Sequence, residues 1–287
     1  MPAPKPVIAF MYDFDKTLCP KDMQEYTFIP TLLGITPAQF WQKANGLAAG
    51  EKMDRILAYM YTMLQEAGRA GQPIRRADFE AMGKDIEFFP GVQEWFGRIN
   101  AYGAKMGAEV QHYIISSGLT ELIQGSAIAK NFTCIYACEF HYNVNGVADW
   151  PASAVNYTGK TQYLFRINKG ALNISDDETV NMVMPESQRP VPFSNMVYIG
   201  DGFTDIPCMR LVKANGGHSV AVYPQGGKKV ETAQNLLRDG RVNFIAPANY
   251  NGGKPLEVLA QQIIQKICTD TALLARHTAQ VKGLPGE

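Results

Sequence analysis

The chain has 287 residues, 46% of them hydrophobic, and a formal net charge of zero, 27 Lys plus Arg against 27 Asp plus Glu. That composition excludes disorder and fibrous repeats and leaves room for one substantial core, alone or with a small accessory domain. The balanced charge excludes a global positive field for nucleic acid or an anionic membrane, so any anion site must be local.

Short apolar runs that end in small or acidic residues read as buried parallel strands. The first is Val7 to Tyr12. The opening MPAPKPVIAFMYDFD is broken by acids, so neither a signal peptide nor a membrane span is expected there. Residues 19 to 90 carry helical periodicity and no convincing strand, far more chain than one crossover needs. Within them Thr36, Pro37 and Gln39 predict an N-cap, an N1 proline and a capping-box partner. Met53, Ile56, Leu57, Met60 and Leu64 predict an apolar helix face engaged in packing. Val92, Trp95, Phe96 and Ile99 predict a helix that stops before Gly103.

Further strands are expected at Val110 to Ile115 and Thr133 to Cys138. An insertion from Glu139 to Asp149 follows, with Asn145-Gly146 as a two-residue hairpin turn. Residues 173 to 195, polar and with three prolines, read as a long connection. Strands at Met196 to Ile199, Ser219 to Tyr223 and Val242 to Ile245 come next, with a surface turn at Gly226-Gly227-Lys228-Lys229 between the last two. A last helix begins at Pro255, with Leu256, Leu259, Ile263 and Ile267 as its apolar stripe. Alternating strands and helices predict a three-layer α/β domain around a parallel sheet, with an inserted helical domain.

Chemistry-bearing residues gather at the predicted strand ends. The first strand runs into Asp13-Phe14-Asp15-Lys16-Thr17 and the second into Ser116-Ser117-Gly118, where a hydroxyl and free backbone N–H groups of a following helix can meet an anion. Gly159-Lys160-Thr161 puts a lysine before a predicted helix, and Met196 to Ile199 delivers Gly200-Asp201-Gly202-Phe203-Thr204-Asp205. A P-loop is excluded because position 154 is Ala154, and His112, His141, His218 and His277 show no zinc spacing with the cysteines. Five dispersed cysteines, Cys19, Cys134, Cys138, Cys208 and Cys268, argue against a disulfide framework and for a reducing, cytoplasmic compartment.

In order and type these residues resemble the four motifs of the haloacid dehalogenase (HAD) superfamily of aspartyl phosphohydrolases. Asp13, Asp15 and Thr17 match the first, Ser116 the second, Lys160 the third, and Gly200, Asp201, Gly202 and Asp205 the fourth, with Lys169 and Lys130 as alternatives for the lysine. The resemblance implies a Rossmann-like core over residues 1–18 and 91–287 and, as in phosphoserine phosphatase-like members, a helical (C1-type) cap over 19–90. It implies a phosphatase with Asp13 as nucleophile, Asp15 as general acid and base, and Lys160 balancing the acids. Ser116, Ser117, Lys160 and Thr17 would bind the substrate phosphate, and Asp13, Asp15, Asp201 and Asp205 would hold Mg²⁺. The implied partner is a small phosphorylated metabolite, not nucleic acid or membrane, with the protein a monomer or homodimer. Phosphoserine phosphatases carry a glutamate after the first motif to hold the substrate's amino group; here Asp22 stands at that offset, with Glu25 close by. Other expectations weighed are a phosphonate hydrolase, which would need a cap lysine such as Lys52, a phosphomutase, and a non-catalytic binder of the same fold. Asp15 weighs against a dehalogenase, whose reaction needs no leaving-group acid.

Overall fold

The computed structural model describes residues 5–225 and 229–283. Of the turn expected at Gly226-Gly227-Lys228-Lys229, the first three residues lie outside them and Lys229 opens a helix. In chain order the elements begin with β1 (Val7–Tyr12), α1 (Pro37–Gly50), α2 (Arg55–Arg69), α3 (Arg76–Met82) and α4 (Val92–Lys105). Next come β2 (Glu109–Leu119), α5 (Thr120–Gly125), β3 (Cys134–Tyr142), β4 (Ala148–Ser153), α6 (Thr161–Lys169) and α7 (Asp177–Asn181). The last are β5 (Met196–Gly200), α8 (Ile206–Ala214), β6 (His218–Tyr223), α9 (Lys229–Arg238), β7 (Phe244–Pro247) and α10 (Pro255–Lys282).

The strands form one seven-stranded sheet in the order β4-β3-β2-β1-β5-β6-β7. Every neighbouring pair is parallel except β3 with β4. All six expected strands are the parallel ones. β1 is central because its sequence is apolar on both faces, and Ile8 to Tyr12 are fully buried. From β1 the chain builds outward to β2 and β3, then returns to add β5, β6 and β7 on the other side. Right-handed crossovers in opposite directions put the connecting helices on opposite faces, which makes the three layers. On one face α4 meets α10 through an Arg98–Glu257 ion pair at 2.6 Å, and Trp95 of α4 stands edge to face with Tyr250 in the loop before α10. On the other, α6 packs with α8. The reversal at β1 opens a crevice beyond its C-terminal end, the usual ligand position in such sheets.

Between Leu18 and Pro90 the helices are α1, α2 and α3, preceded by a 3-10 and a π turn and followed by a 3-10 turn. Phe89 N donates to Leu18 O at 2.9 Å, so this interval leaves and rejoins the rest of the chain at one place. The capping box forms as expected: Gln39 N donates to Thr36 Oγ1 at 3.2 Å and Thr36 N to Gln39 Oε1 at 2.9 Å.

Local structure departs from expectation at several places: the last strand lies at Phe244–Pro247 rather than Val242 to Ile245, and the connection over residues 173 to 195 carries the short helix α7. α4 does not stop before Gly103 but runs through it to Lys105, because a glycine there lets the helix press onto Val110; the left-handed terminator is Gly107, φ +79°. β2 does not end at Ile115 but continues irregularly to Leu119, so Ser116-Ser117-Gly118 belong to a strand rather than to a helix start. The hairpin turn has three residues, not two: Asn143 N donates to Val147 O at 2.9 Å, and Gly146, φ +68°, takes the left-handed position that follows a type I turn. The α2 stripe divides, with Ile56 and Met60 buried while Met53, Leu57 and Leu64 line an open apolar groove of about 760 Å³ beside Trp150. No helix among the described residues is long and apolar enough to cross a membrane.

Candidate active site

β1 delivers Asp13, whose N–H still donates to Ile199 O of β5 at 2.9 Å. The chain then turns sharply: Lys16 sits at φ +60°, strained for a lysine, and Leu18 N returns to Phe14 O at 2.9 Å. Phe14 is buried, leaving Asp13 and Asp15 to face the crevice. From β5, Gly200 gives way to Asp205, whose Oδ2 would lie 2.5 Å from any Cβ at position 200. Lys160, at the start of α6, reaches across and donates from Nζ to Asp13 Oδ1 and Asp205 Oδ1, both at 2.8 Å. Tyr198 OH donates a further bond to Asp205 Oδ1 at 2.8 Å.

Burial disfavours the Lys160 ammonium, but the Asp13 and Asp205 carboxylates outweigh it and hold its pKa well above that of an ordinary lysine. Burial, with Asp205 and Asp201 adding repulsion against the pull of Lys160, pushes Asp13 up to about 7. Asp15 is held well above the usual carboxylate range by burial, then by Asp22 and Asp13, although Met23 N donates to its Oδ1 at 2.8 Å. These acids crowd because the cluster has more carboxylates than ammonium groups. Carboxylate oxygens of Asp13, Asp201 and Asp205 all lie within 4.8 Å of one another, and Asp205 Oδ2 is buried with no hydrogen-bond partner. An all-oxygen set with an orphaned buried acceptor fits a hard divalent cation.

A cleft of about 500 Å³ brings together Asp13, Asp15, Ser116, Ser117, Lys160 and Asp201 among its lining residues. Asp205 lies behind them, bonded to Lys160. Ser116 Oγ accepts from Gly118 N at 3.0 Å and keeps its own proton to donate, whereas Ser117 Oγ already donates to Val155 O at 2.7 Å. Two of the N–H groups after Ser116 are thus engaged, since Leu119 N also meets Met23 Sδ at 3.1 Å. Thr17 is buried away from the cleft lining, with its carbonyl accepting from Tyr250 OH at 2.9 Å. Of the alternative lysines, Lys169 bonds the Val180 and Met182 carbonyls, each at 2.7 Å, and Lys130 is exposed; neither lines the cleft. Asp22 is paired with Lys16 at 2.5 Å, and Glu25 accepts from Trp41 Nε1 at 2.7 Å.

Several lining or supporting residues had no place in the sequence argument. Lys16 and Phe203 lie inside the two acid motifs and were visible as their neighbours. Tyr198 was hidden in an apolar run, where the available signal is that a buried tyrosine hydroxyl needs a partner. Thr232, on α9, carried no signal at all.

Three solved structures share the architecture. A HAD family hydrolase of Salmonella enterica subsp. enterica serovar Typhi aligns with a TM-score of 0.57 at 17% identity, over 91% of this chain and 72% of that one. A probable phosphoserine phosphatase of Vibrio cholerae gives 0.57 at 14% identity, over 93% and 67%. A phosphoserine phosphatase carrying a phospho-aspartyl intermediate analogue gives 0.52 at 15% identity, over 84% and 93%. The chain therefore shares the fold of these haloacid dehalogenase-type hydrolases. By sequence the chain belongs to one family with an uncharacterised protein of Borreliella burgdorferi, 30% identical over 291 aligned residues that cover 91% of this chain and 97% of that protein. No protein-family model matches.

Proposed function

We propose that this protein is a Mg²⁺-dependent phosphatase that hydrolyses a small phosphomonoester metabolite through a phosphoryl group carried on Asp13. The observation that carries this reading is the Lys160 ammonium bonded at 2.8 Å to both Asp13 and Asp205 at the end of β1. One ammonium there leaves an acid pair in place to hold a cation and orients the Asp13 carboxylate toward the cleft. A solved neighbour bearing a phospho-aspartyl analogue supports the same chemistry on this fold.

Ser116 and Lys160 would position the phosphate, the hydroxyl as donor and the ammonium as point charge. An Asp13 oxygen attacks phosphorus and the ester P–O bond breaks. Asp15 gives its proton to the departing oxygen, a task suited to a carboxyl whose surroundings favour the protonated form. Asp15 then takes a proton from water as that water attacks the same phosphorus, releasing phosphate and restoring Asp13. The side chains of Asp13, Asp201 and Asp205, with the Asp15 carbonyl, would hold Mg²⁺, which when bound neutralises phosphoryl charge that would otherwise repel the nucleophile.

Residues 19–90 act in this reading as a cap over a core of residues 1–18 and 91–287. Tyr59 OH of α2 donates to Ser117 O at 2.7 Å, a cap-to-core contact beside the cleft. The free cysteines fit a cytoplasmic location. The test is release of inorganic phosphate from an aryl phosphate and a panel of phosphorylated metabolites, with Mg²⁺ or chelator, for wild type beside Asp13→Asn. Mg²⁺-dependent release that vanishes in Asp13→Asn is expected. A wild type that binds Mg²⁺ and releases phosphate from nothing would overturn the reading.

A further inference from the structure

Next to the acid cleft is a smaller chamber of about 190 Å³ between α1, α2 and the ends of β1 and β2. It shares Asp15, Asp22 and Ser117 with the cleft, so whatever occupies it is within reach of a phosphate at Asp13. Its volume is below the roughly 300 to 1,000 Å³ of a pocket for a drug-sized ligand, which limits the occupant to a small group.

Three rings, Trp41, Tyr59 and Tyr157, line it. Two are fixed by polar bonds: Trp41 Nε1 donates to Glu25 Oε1 and Tyr59 OH to Ser117 O, each at 2.7 Å. Trp41 and Tyr59 meet nearly edge to face, centroids 6.0 Å apart and planes at 67°, so their faces form an aromatic corner rather than a flat wall. One turn along α1 from Trp41, Asn45 adds an amide. Gln24 also lines the chamber; it is buried, and its Oε1 has no hydrogen-bond partner. A buried acceptor left unpaired is satisfied when a donor arrives with the ligand. The Asp22 carboxylate is neutralised by Lys16 at 2.5 Å and Arg55 adds a guanidinium to the lining, so neither favours an ammonium in the chamber.

We propose, resting on the phosphatase reading, that the chamber selects a phosphomonoester whose leaving group is a single planar unsaturated ring with an N–H or O–H donor on its edge and no ammonium group. Rigid rings make a planar group fit with little loss of side-chain freedom, and the amides reward a donor that a hydrocarbon ring lacks.

The test compares kcat/KM of the full chain with Mg²⁺ for benzyl phosphate, cyclohexylmethyl phosphate, 3-hydroxybenzyl phosphate and phosphoserine. Benzyl phosphate should exceed its saturated counterpart by about three- to ten-fold. The hydroxyl should add a further gain that Gln24→Met abolishes, and phosphoserine should be the poorest of the four. Trp41→Leu should collapse the ring preference and Trp41→Phe retain it. Equal rates for ring and saturated esters, or a preference for phosphoserine, would overturn the inference and leave the phosphatase reading standing. Binding of benzylphosphonate against cyclohexylmethylphosphonate, measured by calorimetry, reads the same ring preference without turnover. If no ester is hydrolysed, the phosphatase reading fails, and the phosphonate comparison alone then decides for or against the ring preference.

Discussion

Asp13, Lys160 and Asp205 meet where water is excluded, and each is tolerable there because of the others. Removing the ammonium should be costlier than removing one acid, since it leaves two buried carboxyls facing each other. We expect Lys160→Met to lose about 3–5 kcal/mol of stability in urea titrations with chelator present. Adding Asp205→Asn to that variant should recover part of the loss, and a purely additive double mutant would show that the pair is not coupled. A second buried group tests a different balance. Trp95 Nε1 donates to Tyr12 OH at 2.8 Å, Tyr12 OH lies 3.0 Å from His112 Nδ1, and His112 Nε2 lies 3.0 Å from Asn100 Oδ1. That chain is satisfied by a neutral His112 with its proton on Nε2. Burial pushes its pKa down to about 3 from 6.5. Because the unfolded chain takes up a proton below pH 6.5 that the folded chain refuses, His112 contributes stability above that pH and loses it as pH falls toward 3. The stability of wild type should therefore decline relative to His112→Gln by up to about 1.4 kcal/mol per pH unit in that window, read by denaturant titration at several pH values. Parallel pH profiles would show that His112 is protonated in the fold.

Among the elements, α2 links the helical interval to the rest of the molecule. Asp54 caps it, accepting from Ile56 N at 2.8 Å and Leu57 N at 3.2 Å, and its other oxygen accepts from Asn156 Nδ2 at 3.0 Å. Asp54→Ala should cost about 1 kcal/mol as a lost cap and also free the helix from residue 156. Hydrogen exchange should accelerate in α2 while the amides of β1 and β5 stay protected; uniform acceleration would mean that the helices and the sheet open together. The capping box of α1 and all six parallel strands were legible because they depend on local chemistry and short apolar runs. The end of β2 was not, since Ser116-Ser117-Gly118 resembles a helix start until Met23 packs against Gly118, a contact 95 residues apart in the chain. Gly103 misled for the same reason: a glycine that ends a helix and one that lets a helix approach a strand look alike in sequence.

At the scale of the whole molecule, sheet order follows from which strand is apolar on both faces, and the site follows from the sheet's reversal at that strand. The acid motifs were legible because carboxylates at the end of a buried strand have no packing role. The chamber was not, since its walls come from α1, α2 and a loop near residue 157 that only the fold brings together. The same arrangement predicts how the molecule responds to metal. In the absence of a cation Asp13, Asp201 and Asp205 repel one another within 4.8 Å, and the unfolded chain has no such cluster, so a divalent ion held there would favour the native state. At a hundred times its Kd, Mg²⁺ should add about 2.7 kcal/mol. For a chain of this size that corresponds to a rise of roughly 5–10 °C in Tm. Scanning calorimetry with Mg²⁺ and with chelator checks it, and Asp201→Asn should lose most of the shift while keeping a cooperative transition. A shift of equal size in Asp201→Asn would place the ion elsewhere on the molecule and remove the metal from the site at β1.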